Sequence, residues 1–189
     1  MSASYKLLFI GEPGAGKTTC IGSLSDIAPL CTDVHCTDEL AAQKESTTVA
    51  LDYGELDLGD QSRLLLYGLP GQARFKFMFD VVRENLLGVI ILVDAASRTA
   101  LDGLGETLET YAADVRELPS VIALNKHAAP SAGLVEGCEA LLRQHGLVAP
   151  IMAVDARRRA DLVRMFDLLF VMIEHGSESS AQPEATTWH

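Results

Sequence analysis

The residues Gly11-Glu12-Pro13-Gly14-Ala15-Gly16-Lys17-Thr18 fit the spacing G-x-x-x-x-G-K-[ST] without a gap. A loop of this kind turns backbone N–H groups inward around an anion, and a helix opening behind it adds partial positive charge. Lys17 brings a full charge to the β and γ phosphates of a nucleotide, and the Thr18 hydroxyl is a hard oxygen suited to Mg2+. Pro13 has no N–H, so one donor is missing, while Gly14, Gly16 and Lys17 keep theirs. With Gly11, Glu12, Ala15 and Thr19, these residues form the expected nucleotide-binding loop. Further polar clusters stand at Thr47-Thr48, at Leu69-Pro70-Gly71-Gln72-Ala73-Arg74-Phe75, at Asn125-Lys126-His127-Ala128 and at Asp155-Ala156-Arg157.

The elements that must position these clusters are legible in the hydrophobic pattern. Tyr5 to Ile10 reads as a short buried strand ahead of the glycine-rich turn, with a helix opening near Gly16. Residues 26–46 lack periodicity and read as a long loop. Thr48 to Leu58 alternates, and a turn at Gly59-Asp60-Gln61-Ser62 joins it to Arg63–Tyr67, a hairpin signal. Gly88–Asp94 and Ser120–Leu124 are continuous apolar runs, as in strands covered on both faces. Val148–Val154 reads as a further strand. Leu101, Leu104, Leu108, Tyr111 and Val115 recur at helical spacing, as do Leu134, Cys138, Leu141 and Leu142, and then Leu162, Phe166, Leu169, Phe170 and Ile173. Strands alternating with helices predict a doubly wound α/β sheet, to which the hairpin adds one antiparallel strand. Ligands bind such sheets at the carboxyl ends of the strands, where the polar clusters fall.

The chain has 189 residues, and a typical domain length of about 150 predicts one domain over 1–175 with a disordered tail over 176–189. Hydrophobic residues make up 48%, enough to exclude a fully disordered chain. Asp and Glu outnumber Lys and Arg by 26 to 15, and the net charge of -11 is the wrong sign for a generic nucleic-acid binder. The four cysteines are too scattered for a disulfide framework, and Cys31, His35 and Cys36 lack a second cluster to complete a zinc site. The first residues lack a signal-peptide core and no apolar run reaches the length of a membrane span, so a cytoplasmic protein without an intrinsic membrane segment is expected.

The loop at 11–18 together with Gly71-Gln72 resembles the Ras-like small GTPases, which are P-loop NTPases with a six-stranded, mostly parallel sheet and helices on both faces. In that family a D-x-x-G-Q segment senses the γ-phosphate through its Gly N–H, and the Gln orients the attacking water. Gly71 and Gln72 match, whereas Gly68 stands at the position of the Asp. Pro70-Gly71-Gln72 after a missing Asp is similar to the bacterial Mgl-type GTPases of cell polarity and type IV pilus motility and to related predicted bacterial GTPases. Asp52, on the neighbouring strand, is a candidate replacement. Thr48, with Thr47 as runner-up, looks like the switch threonine that closes over Mg2+ and γ-phosphate. Asn125-Lys126-His127-Ala128 resembles N-K-x-D: Asn125 would tie the base loop to the phosphate loop and the Lys126 stem would lie along a guanine, but Ala128 has no acceptor. Asp155-Ala156-Arg157 resembles the S-A-K loop, whose Ala N–H contacts guanine O6.

The resemblance implies a molecular switch that binds GTP or GDP with Mg2+, the metal on Thr18 and Thr48, with Lys17 and Gln72 as catalytic residues. It also implies a protein effector and a roadblock-family activating protein. Mgl-type proteins can carry their own arginine just before the switch threonines; Ser46 stands there and Arg74 reads as a surface residue, so slow intrinsic hydrolysis is expected. The apolar residues Phe75, Phe77, Met78 and Phe79 fit either an activator contact or a core-facing helix. Gly68 and Ala128 leave open a hydrolysis-deficient scaffold for protein partners. An ATP-using P-loop enzyme is the remaining alternative, although Arg157-Arg158-Arg159 is the sole basic cluster that a kinase lid could use.

Overall fold

The structure is a computed structural model and describes residues 4–28, 30–34 and 49–179. The switch candidates Thr47 and Thr48, Ser46, His35, Cys36 and the segment 180–189 lie outside the described residues. The elements are β1 (Ser4–Gly11), α1 (Lys17–Leu24), β2 (Leu30–Val34), β3 (Val49–Gly59), β4 (Ser62–Pro70), a 3-10 turn (Ala73–Phe75), α2 (Phe77–Val82), β5 (Leu86–Asp94), α3 (Ala100–Val115), β6 (Ser120–Asn125), α4 (Ala132–Gln144), β7 (Ile151–Val154) and α5 (Arg159–Ser179).

Among the described residues seven strands form one sheet in the order β2-β3-β4-β1-β5-β6-β7. The expected six are present, five of them parallel, with β3 antiparallel to β4. A seventh, β2, pairs antiparallel with the outer edge of β3 inside the segment read as loop. The hairpin between β3 and β4 closes through Asp60 and Gln61, both at positive φ, the backbone twist that a two-residue connection requires. At the other edge β7 begins at Ile151 rather than Val148, whose side chain is 95% exposed. Helix α5 runs to Ser179, so the positions 176–179, read as tail from their composition, continue the helix.

The continuous apolar runs have a direct structural cause. Leu8 and Ile10 of β1, Val89, Ile91 and Val93 of β5, and Ile122 and Leu124 of β6 enter one core with α2, α3 and α4. The alternate residues Leu7 and Phe9, Ile90 and Leu92, and Val121 and Ala123 enter a second core with α1 and α5. Strands buried on both faces have no solvent side on which to place polar residues. Met78 and Phe79 are buried in the first core while Phe77 is 38% exposed, so the aromatic run divides between core and surface. No helix among the described residues is long and apolar enough to cross a membrane.

Candidate functional site

The loop 12–16 leaves the carboxyl end of the central strand β1 and enters α1. Gly16 takes φ +113°, and a Cβ there would fall 2.3 Å from Asn125 Nδ2, so a side chain is excluded on both grounds. The Lys17 ammonium donates to the carbonyls of Gly11 at 2.8 Å and Glu12 at 2.9 Å, folding the side chain back over the loop. Burial lowers its pKa to about 8, against the opposing pull of the Asp52 and Glu12 carboxylates. A cavity of about 320 Å³ opens here, lined among others by Gly14, Lys17, Thr18, Asp52 and Gly68.

Asp52 stands directly opposite Gly68 in the β3–β4 register. Its Oδ2 accepts from the Thr18 hydroxyl at 2.7 Å. A Cβ on Gly68 would lie 2.9 Å from Asp52 Cβ and 3.1 Å from Ile21 Cδ1, so the absence of a side chain at 68 is what admits the carboxylate from the next strand. A hydroxyl and a carboxylate are both hard oxygen donors of the kind Mg2+ takes, and Thr18 and Asp52 would be the residues to hold it, supplying charge neutralisation beside the loop. Among the described residues there is no group of three or more His, Cys, Asp or Glu side chains able to hold a metal by themselves.

The segment after β4 lies against the phosphate loop. The Gly71 N–H donates to the Gly11 carbonyl at 2.9 Å, and the hydroxyl of the buried Tyr111 on α3 donates to the Pro70 carbonyl at 3.0 Å. Gln72 is half-buried and its Oε1 accepts from Arg74 at 2.9 Å. The Arg74 guanidinium in turn stacks 4.7 Å from the Phe75 ring centroid, so Arg74 is engaged locally rather than projecting freely.

On the far side of the loop, Asn125 ends β6 buried, its Nδ2 donating to Ala15 O at 2.8 Å and its Oδ1 accepting from Ala156 N at 3.0 Å. One carboxamide thus joins three loops. The same bond occupies the Ala156 N–H, the donor expected to face a base. The Lys126 ammonium pairs with Asp94 Oδ2 at 2.7 Å, which anchors its head at the end of β5. A second cavity, about 500 Å³, is lined by Gly14, Gly16, Thr19, Asn125, Lys126, Asp155, Ala156 and Arg157, and it shares Gly14, Gly16 and Thr19 with the first. A trough therefore runs from the Lys17 end to the Lys126 end. Ala128 is exposed and does not line this cavity, but it lines a neighbouring one of about 310 Å³ that shares Lys126, Asp155 and Arg157 with it.

Sequence reasoning passed over Asp94, Tyr111 and the side chain of Asp155. Asp94 ends an apolar strand, a position that itself signals the ligand-facing edge; Tyr111 carried only a core signal.

No protein-family model matches the chain. The Ras-related protein Rab-40B of Mus musculus is 26% identical over 121 residues, 64% of this chain and 40% of its own. The curated relatives are matched over 40% to 51% of their length. The Arl6 (BBS3) small GTPase from Trypanosoma brucei, solved with the nucleotide analogue GppNp, superposes with a TM-score of 0.66 at 19% identity over 92% of this chain and 99% of that one. The chain has the small GTPase fold. A second solved structure, the ADP ribosylation factor-like protein or small COPII coat GTPase SAR1 from Encephalitozoon cuniculi with GDP, repeats the match at a TM-score of 0.64 and 18% identity, over 96% and 85% of the two chains. In this small GTPase fold the trough lies at the carboxyl ends of β1 and β6, the side of the sheet on which open α/β folds take their ligands.

Proposed function

We propose that the protein is a guanine-nucleotide-dependent switch that hydrolyses GTP slowly to GDP. The observation that carries this reading is the Gly71 N–H bonded to the Gly11 carbonyl, which ties the segment bearing Gln72 to the phosphate loop. A γ-phosphate competes for that N–H and repositions the segment; its loss restores the bond to Gly11. Partners with differential affinity for the two arrangements read the state. Gly11 to Thr19 form the cradle, Lys17 neutralises phosphate charge, and Asn125, Lys126, Ala156 and Arg157 wall the base end. Thr18 and Asp52, with Thr48 as a further candidate, would hold Mg2+, which supplies charge neutralisation to the phosphates. Gln72 orients water only after releasing Arg74, which favours a low intrinsic rate.

The missing Asp at position 68 supports kinship with Mgl-type bacterial GTPases and, through it, a protein effector, a roadblock-family activator, a cytoplasmic location and a role in cell polarity, motility or type IV pilus control. The engaged Gln72 favours a second reading, a scaffold of the same fold that binds partners and hydrolyses nothing. Nucleotide released from the purified protein, followed by GDP and ADP titrations in Mg2+, tests the reading. GDP preference supports it, and ADP preference or the absence of binding overturns it. Single-turnover hydrolysis then separates switch from scaffold: a slow GTP-to-GDP conversion supports the first, no conversion the second.

A further inference from the structure

Among the described residues that line the larger cavity, Asp155 is the one acid. Three of the other polar groups there are committed. Asn125 uses both ends of its carboxamide on backbone, Ala156 N–H is taken by Asn125, and the Lys126 head is held by Asp94. Asp155 lines both the larger cavity and its neighbour, whereas Ala128 lines the neighbour and not the larger one. The backbone of Asp155 is fixed by its own N–H donating to Asp161 Oδ2 at 3.1 Å, and Oδ1 is oriented by the Arg157 N–H at 3.0 Å. The remaining partner, the Arg157 guanidinium at 2.9 Å and 2.8 Å, is on a side chain 81% exposed, a pairing that exchanges cheaply.

A carboxylate only accepts hydrogen bonds. Guanine presents two adjacent donors, N1–H and the 2-amino group, on one edge. Adenine presents an acceptor at N1 and no 2-amino group. From this complementarity we infer that Asp155 reads the base, accepting N1–H and the 2-amino group of guanine in place of the acceptor absent at Ala128. The inference rests on the nucleotide-switch reading and names the residue that makes it a guanine switch. The Arg157 guanidinium holds the Asp155 carboxyl down to about 2, so the acceptor is ionised throughout the physiological range.

The test uses the full chain in Mg2+ with GDP, inosine diphosphate (no 2-amino group), xanthosine diphosphate (a carbonyl in its place) and ADP. The wild type is expected to bind GDP about tenfold or more tighter than inosine diphosphate, since a site that accepts a donor discriminates against its loss. Asp155→Asn turns one acceptor into a donor, and should prefer xanthosine diphosphate to GDP by about tenfold while ADP binding changes less than about threefold. Asp155→Ala, which adds no bulk, gives a second route should the Asn variant not fold: its preference for GDP over inosine diphosphate should fall to within about threefold of unity. A wild type that prefers GDP, with either variant keeping the wild-type ratios, overturns the assignment of Asp155 and leaves the switch standing. A wild type that binds no GDP, or ADP more tightly, overturns both.

Discussion

The Lys17 ammonium is buried against two carbonyls with carboxylates nearby, and the balance can be read as a pH dependence. Its pKa falls from the ordinary 10.5 to about 8, because desolvation outweighs the attraction of Asp52 and Glu12. Between those values the unfolded chain binds a proton that the folded chain does not. Stability of the nucleotide-free protein contributed by this group therefore rises with pH across that window and is lowest where Lys17 is charged. Ligand affinity moves the other way. A bound diphosphate returns the proton to Lys17, so GDP affinity is expected to be level below about pH 8 and to fall up to about tenfold per pH unit above it. Calorimetric titrations from pH 7 to pH 9 check this, and a level profile across the whole range would show that the ammonium does not carry phosphate binding.

Helix α3 acts at the next scale up, through Gly103, Thr107 and Tyr111 on one face at helical spacing. Gly103 lies against the Glu12 side chain, Thr107 Oγ1 against Gly71, and the Tyr111 hydroxyl on the Pro70 carbonyl. The helix therefore backs both the phosphate loop and the segment after β4. Asn125 does comparable work between loops, but from a buried position with two backbone partners. Tyr111→Phe removes a single donor and should cost about 1 kcal/mol. Asn125→Ala leaves the Ala15 carbonyl and the Ala156 N–H unpaired and should cost about 2–4 kcal/mol. Urea unfolding of the two variants measures both; equal losses would contradict the greater weight assigned to Asn125.

Over the described residues, two cores sandwich a sheet whose central strands are buried on both faces. β1, β5 and β6 each pair on both sides and bury both faces, whereas among the described residues β2 pairs only with β3. Amide exchange should accordingly be slowest at Leu8, Phe9, Ile91 and Ile122, where exposure needs global unfolding, and faster by orders of magnitude along Leu30–Val34. Mass-resolved exchange at peptide level tests the ranking. Comparable protection at β2 would mean that this edge is covered by another part of the protein or by a partner.

What the amino-acid order determined alone was whatever a short stretch of chain decides locally. Eight contiguous residues define the phosphate loop, because a cradle of backbone N–H groups needs only glycine-permitted dihedrals and the helix that follows. Continuous apolar runs announced β5 and β6, since a strand covered on both faces has nowhere to put a polar side chain. The edge strand β2 gave no such signal, because pairing on one side demands no apolar run. The partnerships of the site were decided by tertiary structure. Thr18 meets Asp52 across 34 positions, and Ala15 meets Asn125 across 110. Asp52 was visible as a candidate, but its place opposite Gly68 depends on strand register, and a slip of one residue would turn it to the other face. Asp155 lines the same cavity as Asn125 and Lys126 only because β7 lies beside β6. The Asp52 carboxylate reaches the Thr18 hydroxyl from an adjacent strand, since a hydrogen bond requires its partners at a point in space and is indifferent to which part of the chain brings them there.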